Sequence, residues 1–236
     1  MEQVFALTLS SLQTDIARLD NIALNLANVQ TPGYKRQIAQ PFVDALQAAQ
    51  GDAAAPASDP RPGSLKMTGQ PLDVALTGEG YFEVLTDRGQ AYTRAGAFGV
   101  DATGRLVTAQ GYPVMGRSGD IRLATRTPAI DANGRITEVA EPGGEARLVD
   151  QLKVVRFARP QSLRRLGDGL LAPGDEMTVM NEGEPQLRQG ALENANVNST
   201  REMVDLMQTM RHFESMHRAL QGYDDMVGTA IRKLTE

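Results

Sequence analysis

The chain has 236 residues, 41% of them hydrophobic and 22% charged, enough for one large or two modest folded domains. A net charge of -5, with basic clusters no longer than Lys35-Arg36, Arg164-Arg165 and Arg232-Lys233, argues against a nucleic-acid partner. Cysteine is absent, which excludes disulfides and a thiolate nucleophile, and no apolar run reaches the roughly 20 residues of a membrane span, so no membrane insertion is expected.

The first predicted element is a helix over 3–28. Phe5, Leu9, Leu12, Ile16, Leu19, Ala23 and Leu26 recur at alternating spacings of four and three, the a/d seam of a coiled coil. The opposite side carries Leu7, Ser10, Thr14, Ala17, Asn21, Asn25 and Asn28, and only Asp15, Arg18 and Asp20 are charged. Two readings stand for this back. The asparagines are ordinary surface polars and caps, or the helix is surrounded by neighbouring subunits, which a small, amidic surface suits better than a solvated one. At its end Pro32 stops the helix, Gly33 permits a bend and Tyr34 anchors the departing strand.

Residues 48–63, rich in Ala, Pro and Asp, read as a flexible or extended linker between an N-terminal segment, 1–47, and a β-rich domain, 64–190. All twelve prolines lie between residues 32 and 185, and 19 of 23 glycines between Gly63 and Gly190, so this middle is rich in turns. Short apolar or β-branched runs at Leu72–Leu76, Tyr81–Thr86, Leu106–Thr108, Ile136–Val139, Leu152–Phe157 and Met177–Met180 predict an irregular antiparallel β domain, a sandwich or distorted barrel. Val100-Asp101-Ala-Thr-Gly104-Arg105-Leu106 and Ile130-Asp131-Ala-Asn-Gly134-Arg135-Ile136 repeat one pattern, predicted as two hairpin tips. A calcium loop would need later ligands that Asp131-x-Asn133-Gly134 lacks.

The C-terminal segment, 191–236, is predicted as a second helix. Met203, Leu206, Met210, Phe213, His217, Leu220, Asp224, Val227, Ile231 and Leu234 repeat the heptad spacing, and Ser199-Thr-Arg-Glu202 fits a capping box. His217 reads as a polar position fixing register with Asp224. Glu214-x-x-His217 is only half of a di-iron pair, and the N-terminal helix supplies no other half. No nucleophile elbow, Walker loop or dinucleotide fingerprint occurs, so neither an enzyme nor a cofactor is expected. The fold class is mainly β, the β domain inserted between terminal helices that pair as a coiled coil.

Asn25-Leu-Ala-Asn28-Val-Gln-Thr31-Pro32-Gly33-Tyr34-Lys35-Arg36 resembles the signature of the bacterial flagellar rod and hook proteins. Gly80-Tyr81-Phe82, Tyr92-Thr-Arg94-Ala-Gly96-Ala-Phe98 and Gly111-Tyr-Pro-Val-Met-Gly116 resemble the domain those subunits share. Gly190-Ala-Leu-Glu193-Asn-Ala-Asn196-Val197-Asn198 resembles the other half of the signature, and the matches follow the family's order over nearly the whole chain. Pro32 and the alanine-rich linker depart from the pattern. The resemblance implies a structural rod subunit of the proximal type, with a distal-rod or hook-type subunit as the near alternative. An adhesin or enzyme on a coiled-coil stalk is the rival of another class. It further implies homo-oligomers, other rod and hook axial proteins and the flagellar type III export apparatus as partners, and a basal-body location reached without a cleaved signal, consistent with a start, Met-Glu-Gln, that lacks a basic n-region. Terminal helices forming an inner tube place Phe5, Leu9, Leu12, Ile16, Leu19, Asn21, Asn25, Asn28, Met203, Leu206, Met210, Phe213, Leu220, Val227 and Ile231 at subunit interfaces. On that view lysine at Asn25 or Asn28 spares expression and abolishes swimming.

Overall fold

The structure is a computed structural model that describes residues 2–38, 57–139, 145–160, 163–174, 176–181 and 183–235, with the backbone alone at 2–7, 57, 224–225, 227–231 and 233–235. The chain folds as two compact units, one of residues 1–27, 37–54 and 198–236, the other of 28–36 and 55–197. Segments 28–36 and 191–197 therefore fold with the strands, not with the helices they adjoin in sequence. Of the stretch expected to be a connector, residues 57–63 are ordered and bury Ser58 and Asp59, while 48–56 lies outside the described residues.

In the first unit α1 (Glu2–Ala27) packs against α2 (Ser199–Thr235). They run antiparallel, since Asn25 meets Glu202 while Asp15 meets His212. The residues facing the partner keep the three-four spacing. On α1 they are Thr8, Leu12, Asp15, Leu19, Ile22 and Leu26, and on α2 Glu202, Leu206, Thr209, Phe213, Met216 and Leu220, all buried or half-buried. Leu9, Ile16, Met203 and Met210, which the apolar heptads place on this seam, are instead about half exposed, at 46, 49, 53 and 48%.

Polar residues that find partners set this phase. Asp15 Oδ2 lies 2.6 Å from His212 Nδ1, and the buried Thr209 hydroxyl donates to the carbonyl of Asp205 at 2.8 Å. The helices thus pair through a mixed polar and apolar seam. His217 does not fix its register: it is exposed, its Nε2 3.1 Å from Gln221 Nε2. The side chains of Phe5, Asp224, Val227 and Ile231 lie outside the described residues. At the start of α2, Asn198 is the cap, its Oδ1 accepting the Arg201 N–H at 3.0 Å. Glu202, expected to complete a capping box with Ser199, points to Asn25.

The strands in chain order are β1 (Gln37–Ile38), β2 (Ala57–Ser58), β3 (Leu65–Met67), β4 (Val74–Leu76), β5 (Tyr81–Thr86), β6 (Gly89–Thr93), β7 (Phe98–Val100), β8 (Leu106–Thr108) and β9 (Ala129–Ile130). They continue with β10 (Arg135–Val139), β11 (Ala146–Gln151), β12 (Val154–Phe157), β13 (Arg165–Gly167), β14 (Leu170–Leu171), β15 (Met177–Val179), β16 (Leu187–Gln189) and β17 (Ala191–Glu193). A six-stranded sheet has the order β13-β14-β6-β5-β12-β15, a three-stranded one β11-β10-β9, and β16-β4, β17-β3 and β7-β8 are pairs. These pairings are antiparallel. Alternation along β5 sends Phe82 and Val84 into the main core with Val74, Leu106, Ile136 and Leu152, and Tyr81 into a second with Tyr92, Val155 and Phe157.

The repeated Asp-Ala-x-Gly-Arg segments are the tips of β7–β8 and β9–β10. Asp101 Oδ1 accepts N–H bonds from Thr103 and Arg105 at 2.7 and 2.9 Å; Asp131 Oδ1 does the same for Asn133 and Arg135 at 2.8 and 2.9 Å. Gly104 and Gly134 take φ of 81° and 83°, where a Cβ would be strained.

Candidate functional site

Residues 28–36 leave the helix through two successive turns. The Thr31 N–H donates to the Asn28 carbonyl at 3.0 Å and the Tyr34 N–H to the Thr31 carbonyl at 3.2 Å, with Gly33 at φ 71° between them. The Thr31 hydroxyl also donates to Asn28 Oδ1 at 3.2 Å. Gly33 lies so close to the backbone at Arg94 that an added Cβ would stand 2.4 Å from the Arg94 carbonyl carbon.

That close approach brings two cations to one buried carboxylate. Glu193, on β17, accepts from Lys35 Nζ at 2.6 Å and the Gly63 N–H at 2.9 Å through Oε1, and from Arg94 Nε at 2.9 Å through Oε2. One carboxylate cannot neutralise two cations. Backbone carbonyls take further donors: Arg61 from Lys35 at 2.9 Å, Gly78 and Gly80 from Arg94 at 2.8 and 2.7 Å. Burial pushes the Lys35 ammonium below its ordinary value, and the Glu193 charge works against that shift.

Asn196 bridges the same segment. Its Oδ1 accepts the Arg36 N–H at 2.6 Å, and its Nδ2 donates to the carbonyls of Asp59 and Arg61 at 3.2 and 2.9 Å. Tyr34 is buried with the Arg165 guanidinium over its ring, 4.6 Å from the centroid, and Arg165 also donates to the Lys35 carbonyl and the Ser58 hydroxyl. Asn28, Thr31, Gly33, Tyr34, Lys35 and Asn196 thus form one connected cluster, whereas Pro32 and Val197 are half-buried beside it in sequence. Arg94, Glu193 and Arg165 escaped functional notice because charged residues in a strand-rich region ordinarily read as solvated. The available signal was that Arg94 and Glu193 both lie within motif-like runs.

The helical unit presents a different surface. Besides Leu9 and Ile16, Leu24 is exposed on α1, and Val204 and Met207 are exposed with Met203 and Met210 on α2. Asn21 is half-buried. Asn25, expected on an outward face, is buried: Nδ2 donates to the Gln37 carbonyl at 3.0 Å and to Glu202 Oε2 at 3.2 Å, and Oδ1 accepts the Gln37 N–H at 2.7 Å. An amide with both ends satisfied on its own chain tolerates the poor helix propensity of asparagine.

The profile of the flagellar hook protein FlgE/F/G D1 domain matches residues 75–138, and that of the flagellar basal body rod FlgEFG protein C-terminal region matches residues 188–233. The chain is 33% identical to the flagellar basal-body rod protein FlgF of Escherichia coli K12 over 90% of each chain. The chain belongs to the flagellar basal-body rod protein family. This rod protein is also 34% identical to FlgF of Salmonella typhimurium LT2, covering 90% of both chains. Against FlgG of Borreliella burgdorferi it is 31% identical, covering 90% of this chain and 91% of the relative. As a member of the rod family it is a structural subunit of the flagellar basal body and not an enzyme. Among the described residues no helix is long and apolar enough to cross a membrane.

Proposed function

We propose that this rod subunit, of the proximal type, polymerises through its terminal helices into a hollow drive shaft that transmits torque. The helices pair as a short antiparallel coiled coil within each copy, and their outer faces meet further copies and other axial proteins. The subunit reaches the basal body through the flagellar type III export apparatus. One observation carries this reading: the half-exposed row of Leu9, Ile16, Met203, Met207 and Met210 on a helix pair whose inner seam is already occupied. Large aliphatic side chains repeating at helical spacing on a free surface are what a further helix covers. Methionines suit contacts that differ slightly around a helical polymer.

A double Ile16→Lys, Met210→Lys variant tests it. Both sites face water in the single chain, so its folding stability should change by no more than about 0.5 kcal/mol per site. Rods should be absent from isolated basal bodies, and cells should not swim. Normal rods and normal swimming would overturn assembly through these faces.

A further inference from the structure

We propose that a cleft in the β unit, lined by Tyr81, Arg156, Phe157, Pro60 and Pro160, docks an acidic side chain of a second copy of the chain. The proposal rests on the reading that copies meet in the rod, and it names a contact with the β unit, separate from the packing of helix against helix. The cleft holds about 370 Å³. Tyr81 and Phe157 meet edge to face, ring centroids 5.6 Å apart, and with the prolines they form an apolar floor.

Two groups on this lining are unused. The Tyr81 ring is packed in the second core, and its hydroxyl makes no hydrogen bond among the described residues, so the phenol offers a donor at the cleft. Arg156 is exposed on β12 and has neither an ion pair nor a hydrogen bond among the described residues. The other cations of the lining, Lys35 and Arg94, are held by Glu193. With Glu79 on the lining counted as well, three cations stand against two carboxylates, so the cleft keeps a positive excess on a chain of net charge -5.

A phenol donor and a free guanidinium on a lining that also carries aromatic and proline side chains fit a carboxylate on a short apolar stem, bound by charge-assisted hydrogen bonds. A second copy carries that chemistry in surplus. Residues 1–27, 37–54 and 198–236 contain six Lys and Arg against eleven Asp and Glu, whereas the β unit contains eighteen of each. Such a contact joins two different patches. Contacts of that kind propagate into open assemblies instead of closing a two-fold dimer.

Ala158 is exposed on the cleft wall, so an Ala158→p-benzoylphenylalanine chain can report its neighbour by photo-cross-linking in cells that assemble basal bodies. The expected product is an adduct of two copies, mapped by mass spectrometry to an acidic segment. Adding Arg156→Glu should abolish the adduct, Tyr81→Phe should weaken it, and Arg156→Lys should retain it. Rods that form without a copy-to-copy adduct would overturn the cleft contact while leaving helix-mediated assembly standing. An adduct to a different protein, or one unaffected by Arg156→Glu, would also overturn it.

Discussion

Lys35 Nζ lies 2.6 Å from Glu193 Oε1, and the two side chains are only 6% and 1% exposed. Glu193→Gln would keep the shape of the site but leave Lys35 and Arg94 buried without a counter-charge. Removing one partner of a buried ionic group costs about 3–5 kcal/mol, far more than the net worth of the intact pair. The variant should therefore unfold at a much lower urea concentration with an unchanged slope. A midpoint within error of the parent would mean that the carbonyls around Lys35 and Arg94 suffice by themselves.

Gly33→Ala places a methyl group against the backbone at Arg94 and forces alanine to φ 71°. Left-handed strain and the clash together should cost more than about 2 kcal/mol. Gly69→Ala is the control, since φ there is 72° but nothing lies within 4 Å of the added carbon. The difference between the two thermal midpoints isolates the contact.

Asn25→Ala removes both ends of the bridge from α1 to Gln37 and Glu202, leaving buried partners unsatisfied at a cost of about 1–3 kcal/mol. Asn25→Lys should be worse, lowering soluble expression before swimming is ever assayed. Helical circular dichroism during denaturation would register the loss, and a wild-type melting curve for Asn25→Ala would contradict the bridge.

Tyr92 is pushed up to about 12 by burial, with the nearby Glu83 carboxylate adding to the shift. An unfolded tyrosine ionises near 10, so between these values the unfolded chain has released a proton that the folded chain still holds. The stability that this proton retention supplies is complete below pH 10 and is lost as pH rises toward 12. Tyr92→Phe should flatten the alkaline loss, followed by urea midpoints and tyrosinate absorbance. Equal alkaline slopes would sink the assignment.

At the acid end, the Thr103 hydroxyl foremost, then the Arg105 N–H, hold the Asp101 carboxyl well below its ordinary 3.8. A depressed carboxylate stabilises the fold above its unfolded value and loses that contribution as pH falls through its folded one. Wild-type and Asp101→Asn chains should therefore differ at neutral pH and converge in acid. A gap independent of pH would point to the side-chain shape instead of its charge.

Apolar spacing found both helices, and β5 and β8 coincide with runs read from sequence at Tyr81–Thr86 and Leu106–Thr108. It placed Leu12, Leu19, Leu206, Phe213 and Leu220 toward the partner helix but mistook the other half of each seam. A hydrophobic repeat records every face on which an apolar residue is kept and does not say which neighbour covers it, so Leu9 and Met203 looked like Leu12 and Leu206. Two-residue strands such as β9 and β14 have too few residues to show any period. The Lys35–Glu193–Arg94 cluster was hidden for another reason: Arg94 and Glu193 lie 59 and 158 residues from Lys35 in sequence, and the close approach at Gly33 brings them together.

Strands β3 and β4 find their partners more than a hundred residues later, in β17 and β16. Loop closure over that distance must precede the pairing, and such non-local contacts form slowly. A chain delivered from its N-terminus keeps the edges of 65–76 open until Leu187–Glu193 has arrived. The β unit therefore behaves as a clasp whose tongue is made last, so a truncated or stalled chain cannot complete it.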